Sequence, residues 1–267
     1  MRENLLRTLW QQDAYAVNGW LGLPATFSAE VMAHQGWDSL TIDLQHGLID
    51  YQSAVGMLQA ISTTRTVPLV RVPWLDPAII MKVLDAGAYG VICPMINSAA
   101  EARKFVAACR YPPEGIRSCG PIRANVYAGP DYVANANRTL LTMAMIETRG
   151  GLDNLDEILS VEGLDAIYVG PADLALALGC EPQLDPTKEE VIKAIEYIVT
   201  RAREKKIVAG IHTASTANAQ KMIRQGFQFV TVSTDVRLLV DKVSEVLETM
   251  GRGSFAAKAN SAQRGPY

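Results

Sequence analysis

Several apolar segments of the chain end in polar residues that can take part in catalysis. In chain order these residues are Asp43 and His46, Arg71, Glu147, Asp173 and His212. If the segments are parallel strands of a barrel, their carboxyl ends share one face, and active sites of such barrels lie on that face. We therefore expect acids, a guanidinium and imidazoles to converge on one rim. A ring of structural salt bridges is the alternative, although charges at strand ends are costly to bury without a use.

Two of these residues suggest a metal site. Glu147 and Asp173 supply hard oxygen ligands, which suit magnesium, manganese or a similar divalent ion that retains water. The sequence has 3 histidines, and one of them, His34, falls within a predicted helix. A three-histidine zinc site is therefore disfavoured.

Other uses of the same acids are weaker. Two carboxylates can form a glycosidase pair, but few aromatic residues beyond Trp20 and Trp74 are available on the rim to stack on a sugar. A Schiff-base aldolase needs a lysine that projects from a strand. The lysines of this chain fall in predicted helices, at helix ends or in the C-terminal tail. Carbanion chemistry would therefore need a metal as the electron sink.

The elements that must position these residues repeat along the chain. Four times a predicted helix ends at a glycine, at Gly36, Gly87, Gly163 and Gly226, and an apolar run rich in β-formers follows. We predict strands over 16–21, 39–44, 67–72, 90–96, 140–146, 166–169, 207–211 and 227–232. We predict helices over 49–62, 77–84, 99–109, 154–160, 188–203, 216–224 and 238–250. About eight such units predict a (β/α)8 TIM barrel, with a doubly wound open sheet as the alternative.

Length and composition agree with one soluble enzyme domain. The chain has 267 residues, 49% hydrophobic and 20% charged, and a single barrel takes about 250 residues. We assign 1–250 to the barrel and 251–267 to a tail that is mobile or docked on a neighbouring subunit. The longest irregular stretch, 111–130, suggests a lid or a subunit contact.

Composition also bears on partners and on location. A net charge of -3 argues against a nucleic-acid partner, and no G-x-G-x-x-G motif suggests a dinucleotide. The 4 cysteines show no C-x-x-C pairing, which is typical of free thiols. Neither a signal peptide nor an apolar run long enough to span a bilayer is evident, so we expect a cytoplasmic protein with no membrane partner.

Five motifs together resemble one family. They are Asp43-Leu44-Gln45-His46-Gly47, Val70-Arg71-Val72-Pro73, Leu84-Asp85-Ala86-Gly87-Ala88, Ile146-Glu147-Thr148 and Gly170-Pro171-Ala172-Asp173-Leu174. In this order and spacing the chain resembles the HpcH/HpaI aldolases, the metal-dependent class II pyruvate aldolases typified by 4-hydroxy-2-oxoheptanedioate aldolase. The resemblance extends over nearly the whole chain.

The resemblance implies a metal centre and a site for the keto acid. Glu147 and Asp173 would bind Mg²⁺, Mn²⁺ or Co²⁺, and pyruvate would chelate the ion through its carboxylate and keto oxygens. Backbone N–H groups near Ala172 and Asp173 would hold the pyruvate carboxylate. Arg71 would face the keto oxygen and stabilise the enolate, which agrees with the large effect of preorganised positive charge on such transition states.

The resemblance also implies the proton-transfer groups. His46 would take the proton of the 4-hydroxyl group in cleavage, directly or through water, and Asp85 would raise the basicity of this histidine. Asp43 is a candidate second orienting group in the site. A structural role at the end of its strand is the alternative.

Four positions depart from the family or stand out in it. Met145 replaces a glutamine that commonly contacts pyruvate, which concerns keto-acid binding, and Gln45 replaces a common glutamate. His212 stands where a small or apolar residue is expected, so it is a candidate for shaping the aldehyde pocket, with a satisfied rim histidine as the alternative. Trp20 is a candidate wall of the same pocket.

These residues predict a lyase that reversibly cleaves 4-hydroxy-2-keto acids to pyruvate and an aldehyde. The alternatives are an oxaloacetate decarboxylase, a CoA-ester lyase of the same superfamily, and a non-catalytic keto-acid-binding barrel. Segment 238–250 has a broad apolar face. The resemblance implies a homohexamer that exchanges this helix between subunits, whereas a plain eighth barrel helix would show the same stripe.

Overall fold

Eight parallel strands form a closed barrel in which each strand pairs with the next and β8 pairs with β1. The computed structural model describes residues 1–252. The strands are β1 Ala16–Leu21, β2 Ser39–Asp43, β3 Val67–Arg71, β4 Gly90–Cys93, β5 Leu141–Ile146, β6 Ala166–Val169, β7 Val208–Thr213 and β8 Phe229–Val232. The predicted TIM barrel is confirmed, and the open sheet is excluded. The tail assigned to 251–267 lies almost wholly outside the described residues.

Thirteen helices in the described part of the chain surround the barrel or cover its ends. They are α1 Leu5–Gln11, α2 Thr26–Ala33, α3 Tyr51–Ile61, α4 Pro77–Asp85, α5 Ala99–Cys109, α6 Ile122–Ala128, α7 Tyr132–Thr139, α8 Arg149–Asp153, α9 Leu155–Ile158, α10 Pro171–Ala177, α11 Glu189–Glu204, α12 Thr216–Gln225 and α13 Asp235–Thr249. None of the helices that the structure describes is both long and apolar enough to cross a bilayer.

Local sequence signals locate the ends of several elements. Asp76 caps α4 by accepting from Ala78 N at 2.9 Å, with Pro77 at the first helical position. The strand predicted over 90–96 instead ends at Cys93. Pro94 follows it, and Met95 has a left-handed backbone with φ 57°, a conformation that a strand does not contain.

The stretch 111–130 lies at the amino-terminal ends of the strands, not over the predicted rim. Arg110 donates to the carbonyl of Leu140, just before β5, at 3.1 Å. Arg123, on α6, donates to the carbonyl of Ala86, just past the end of α4. A lid over the site of the same chain is therefore wrong for this stretch, because α5 carries the chain to the opposite face. Its α6 helix was not predicted.

The last helix, α13, does not bury its apolar face on the barrel. Its one buried residue in the described structure is Asp235, which accepts from Gly22 N at 2.8 Å. The exposed apolar side chains of α13 are Val236, Leu238, Leu239, Val240, Val243, Val246 and Leu247, with relative exposures of 40% to 58%. A plain eighth barrel helix would bury such a stripe, so the structure disfavours that alternative within one chain.

Candidate active site

The predicted strand-end residues share the carboxyl-terminal rim of the barrel. Asp43 and Arg71 are the last residues of β2 and β3, and Glu147 directly follows β5. Asp173 lies in the first turn of α10, which begins two residues after β6, and His212 is the next-to-last residue of β7. Because all eight strands are parallel, these side chains come from one end of the barrel.

A buried ion pair joins β2 to β3. Arg71 donates from Nε to Asp43 Oδ1 at 2.9 Å and from Nη2 to Asp43 Oδ2 at 2.6 Å. Trp20 Nε1 donates to the same carboxylate at 3.1 Å, and its ring lies 4.8 Å from the guanidinium carbon of Arg71. Burial opposes ionisation of Asp43, but the Arg71 guanidinium, together with hydrogen bonds from Trp20 and the Gln45 N–H, lowers the pKa of Asp43. The guanidinium is thus fixed in direction at the rim.

Asp43 also shapes the loop that carries His46. Its Oδ1 accepts from the backbone N–H of Gln45 at 3.0 Å and of His46 at 3.2 Å. The His46 side chain is exposed at the rim. Partial burial and the Arg71 guanidinium lower the pKa of His46, while the carboxylates of Asp43 and Asp173 partly oppose this shift. A mainly neutral imidazole near pH 7 can accept a proton.

Glu147 is a buried carboxyl group, 2% exposed, in an environment that suits a cation. Burial raises its pKa to about 7, and the carboxylate of Asp173 contributes to the increase, while the Met95 N–H and the Arg71 guanidinium oppose it. Met95 N donates to Glu147 Oε1 at 2.8 Å. A Cβ atom added at Gly170 would lie 2.4 Å from Glu147 Oε2, so this position requires glycine for Glu147 to keep its place.

The carboxylates fit a metal ion that takes its remaining ligands from water and substrate. In residues 1–252 no three His, Cys, Asp or Glu side chains come together as a ligand cluster. The carboxylate of Asp173 is close enough to raise the pKa of Glu147, and a bound divalent cation would oppose this effect. Hard oxygen donors of this kind suit Mg²⁺ or Mn²⁺ rather than zinc.

Two further predicted residues lie beside this pair. The side chain of Met145 is buried, and its Cε lies 3.1 Å from the Cβ position of Gly170, next to Glu147. Ala172 is buried at the start of α10, where Gly170 supplies no side-chain cap. The first-turn N–H groups of Ala172 and Asp173 therefore lack a capping side chain, and such groups favour anions.

His212 lies inside the rim against Trp20, with ring centroids 4.9 Å apart. Its Nδ1 is 3.1 Å from the Tyr168 hydroxyl, which donates to Thr231 Oγ1 at 2.7 Å. Nε2 is buried and has no hydrogen-bond partner among the described residues. Burial lowers the pKa of His212 to about 3, so the ring is neutral in ordinary buffers. The barrel interior thus supplies a hydrogen-bond partner for Nδ1 of His212 but none for Nε2 among the described residues.

Asp85 is not brought to His46 within one chain. It is the last residue of α4, which leads away from the rim, and it accepts from Arg117 Nη2 at 2.6 Å. Arg117 is buried, whereas the Asp85 side chain is 30% exposed. The charges that act on His46 are those of Arg71, Asp43 and Asp173. The expectation that Asp85 acts on this histidine therefore fails inside a single chain.

Three residues near the site were not predicted to contribute. Tyr168 anchors His212 and stacks on Trp20 at 5.8 Å, and a hydroxyl group inside apolar strand β6 was the available signal. Gly170 leaves room for Glu147, and it opens a motif already noted for Asp173. Met95 acts through its backbone N–H, for which the sequence has no signal.

The rim thus combines a fixed guanidinium, a histidine and two carboxylates fitted to a divalent ion. A family model described as HpcH/HpaI aldolase/citrate lyase matches residues 19–242. The chain belongs to this family. As a member of the HpcH/HpaI family it is an aldolase, that is, a carbon–carbon lyase.

Relatives in this family match the chain over most of its length. It is 43% identical over 244 residues to the hydroxypyruvate/pyruvate aldolase of Rhizorhabdus wittichii, covering 91% of this chain and 97% of that protein. It is 35% identical over 268 residues to the 4-hydroxy-2-oxo-heptane-1,7-dioate aldolase of Shigella flexneri, covering 99% and 100%. The predicted family membership and lyase chemistry are confirmed.

Solved structures support the same fold. An HpcH/HpaI aldolase/citrate lyase family protein from Burkholderia cenocepacia superposes with a TM-score of 0.88 at 30% identity, covering 93% of this chain and 99% of that one. The citrate lyase β subunit of M. tuberculosis, complexed with oxaloacetate and magnesium, gives a TM-score of 0.57 at 16% identity, covering 89% and 96%. The second likeness concerns the barrel fold alone.

Proposed function

We propose that this HpcH/HpaI aldolase is metal-dependent and reversibly cleaves 4-hydroxy-2-keto acids to pyruvate, or a hydroxylated pyruvate, and an aldehyde. The observation that carries the proposal is a buried Glu147 near Asp173, with the Arg71 guanidinium fixed by Asp43 within electrostatic reach. A keto acid between Arg71 and a divalent cation held by the two carboxylates would meet positive charge from two directions. That arrangement stabilises an enolate more than the neutral ketone.

Each residue then has one task in cleavage. His46 accepts the proton of the 4-hydroxyl group as the C3–C4 bond breaks, the aldehyde leaves, and the bond electrons pass to the enolate. Arg71 stabilises the enolate oxygen. Return of that proton from His46 to C3 of the enolate, directly or through water, then gives the keto acid and restores the neutral imidazole. Glu147 and Asp173 would hold the divalent cation, which supplies Lewis-acid stabilisation of the enolate when bound.

Substrate binding would use the groups around this centre. The N–H groups of Ala172 and Asp173 would hold the keto-acid carboxylate, with Met145 as an apolar wall beside it. Trp20 and His212 would line the side from which the aldehyde approaches. A relative named hydroxypyruvate/pyruvate aldolase supports both keto acids as candidates.

The proposal is tested by aldol addition and cleavage with metal-stripped protein. Pyruvate and hydroxypyruvate are supplied in turn with glycolaldehyde, and pyruvate release is followed from 4-hydroxy-2-oxoheptanedioate. We expect no turnover without metal and full turnover after addition of Mg²⁺, Mn²⁺ or Co²⁺. The reason is that loss of such charge stabilisation costs roughly 10²–10³ or more in rate.

Other outcomes would separate the alternatives. Turnover that survives complete metal removal would contradict the proposed mechanism. Turnover of oxaloacetate or of a CoA ester, with none of the aldol substrates accepted, would indicate a decarboxylase or a CoA-ester lyase. Metal-dependent binding of pyruvate without any turnover would indicate a binding protein.

We propose in addition that the chain forms a homo-oligomer, a hexamer in the simplest reading of the family resemblance. The apolar face of α13 is exposed in one chain, and contiguous exposed apolar surface usually marks an interface. The partly exposed Asp85 of one copy would approach the exposed His46 of another and raise its basicity. This would assign Asp85 the predicted role across a subunit boundary.

Light scattering should give an oligomer for the wild-type chain and smaller species for Leu239→Asp/Val243→Asp. These substitutions place charges on the exposed apolar face of α13, where a buried charge would be costly. Lys242→Gln on the same helix is the matched control, because its side chain is 67% exposed and already pairs with Glu245. A wild-type monomer would contradict the proposal.

A mixing experiment tests the role of Asp85. His46→Ala and Asp85→Asn chains, each with reduced activity, are dissociated together and reassociated. If Asp85 serves the neighbouring site, random assortment restores up to about a quarter of the wild-type sites. If Asp85 acts only within its own chain, no such site forms and activity stays at the sum of the separate variants.

A further inference from the structure

The loop after β4 holds a backbone conformation that residues with a Cβ atom rarely adopt. Met95 has a φ of 57°, in the left-handed region that is disfavoured for such residues. In this conformation its N–H donates to Glu147 Oε1 at 2.8 Å. The strained residue therefore contacts Glu147, which is a metal ligand under the proposed function.

Asn97 supports this turn through hydrogen bonds. Its Nδ2 donates to the carbonyl of Met95 at 2.7 Å. Its own N–H donates to Glu101 Oε2 at 2.6 Å, and its carbonyl accepts from Asn154 Nδ2 at 2.8 Å. Thr148, the residue after Glu147, donates from its hydroxyl to Asn97 Oδ1. Asn97 is thereby tied both to the start of α5 and to the loop after β5, which carries Glu147.

The two oxygens of Glu147 have different surroundings. Oε1 accepts from Met95 N, while Oε2 lies against Gly170, where a Cβ atom would come within 2.4 Å. A carboxylate fixed through one oxygen presents the other in a defined direction, and such supporting contacts tune metal affinity.

We propose that Asn97 is a positioning residue: it holds Met95 in the left-handed conformation, so that the Met95 N–H fixes Glu147 Oε1 and leaves Oε2 for a divalent cation. The inference rests on the metal role assigned to Glu147 under the proposed function. Asn97 itself would touch neither the metal nor the substrate. The proposed effect on the cation passes through the backbone of residue 95, and rescue by Met95→Gly separates it from the contact between Asn97 and Thr148.

The test is Mn²⁺ binding to the metal-stripped full chain, measured by titration calorimetry without substrate. Asn97→Ala should bind Mn²⁺ about tenfold more weakly, because holding a non-glycine residue in the left-handed region then loses its support. Met95→Gly should bind within about twofold of wild type, because glycine adopts this conformation readily. The double variant Asn97→Ala/Met95→Gly should recover most of the lost affinity for the same reason.

The matched control is Asn154→Ala, which removes a hydrogen bond from the same cluster but leaves the contact from Asn97 to Met95. It should bind Mn²⁺ as wild type does. Thermal unfolding of each variant checks folding, and Asn97→Ser replaces the alanine variant if that one does not fold. Serine lacks the amide group through which Asn97 donates to the Met95 carbonyl.

Two results would overturn this inference and leave the proposed function standing. One is wild-type affinity in Asn97→Ala, and the other is a double variant that binds as weakly as Asn97→Ala, since a purely structural role would not be rescued by glycine. A wild-type chain that binds no Mn²⁺ would overturn the metal role in the proposed function, and the inference with it.

Discussion

Replacement of Glu147 by glutamine is expected to abolish metal-dependent turnover, lowering kcat by about 10³ or more. Glutamine keeps the shape of the side chain and can still accept from the Met95 N–H, so the change removes chiefly one negative charge from the proposed cation site. Kinetic assays across Mg²⁺, Mn²⁺ and Co²⁺ measure the loss. Glu157→Gln, at an exposed position of α9, is the matched control and should behave as wild type.

The same variant separates catalysis from stability. Wild type should gain roughly 3 kcal/mol of stability at a metal concentration about 100 times Kd, and Glu147→Gln should gain almost none. In the folded chain burial raises the pKa of Glu147 from 4.5 to about 7. Ionisation of Glu147 therefore destabilises the metal-free fold as pH rises from about 4.5 through about 7.

Differential scanning calorimetry at pH 8 should then find metal-free Glu147→Gln at least as stable as metal-free wild type. At pH 4, where the carboxyl group is protonated in both states, this difference should vanish. A variant that keeps its Mn²⁺-induced increase in Tm would show that Glu147 is not a metal ligand.

Arg71→Ala is expected to damage both folding and chemistry. It leaves Asp43, 3% exposed, without its bidentate partner, and breaking a buried pair in this way costs about 3–5 kcal/mol. For a chain of this size the loss corresponds to a decrease in Tm on the order of 10 °C. The enolate also loses its guanidinium, so kcat should fall by roughly 10²–10³. Thermal unfolding and steady-state kinetics measure the two effects, and exposed Arg65→Ala is the control.

A double variant distinguishes the two contributions. Asp43→Asn/Arg71→Met removes both charges, so it should recover part of the Tm lost in Arg71→Ala while kcat remains low. Recovery of activity together with stability would mean that Arg71 acts only through the fold. Arg71→Lys, which keeps the charge but loses the bidentate geometry, should have an intermediate rate.

The barrel and most of its rim could be predicted from the sequence because both depend on local patterns. Apolar strands bounded by helix-ending glycines such as Gly87 and Gly226 specify repeated β/α units, and parallel strands place their carboxyl ends on one face. Arg71, Glu147 and Asp173 therefore followed from their positions at strand ends. The prediction extended β4 to residue 96, beyond its end at Cys93. The left-handed backbone at Met95 is not indicated by the type of its side chain.

Only the tertiary structure decided which long-range partners each residue meets. Asp85 pairs with Arg117, 32 positions along the chain, and this contact takes it away from the histidine of its own chain. Asp43 became the organiser of Trp20, Arg71 and the His46 loop because β1, β2 and β3 are neighbours in the barrel. The apolar stripe of α13 could be identified from the sequence. Whether that stripe faces the barrel or lies open depends on the path of the chain after β8, which no local pattern specifies.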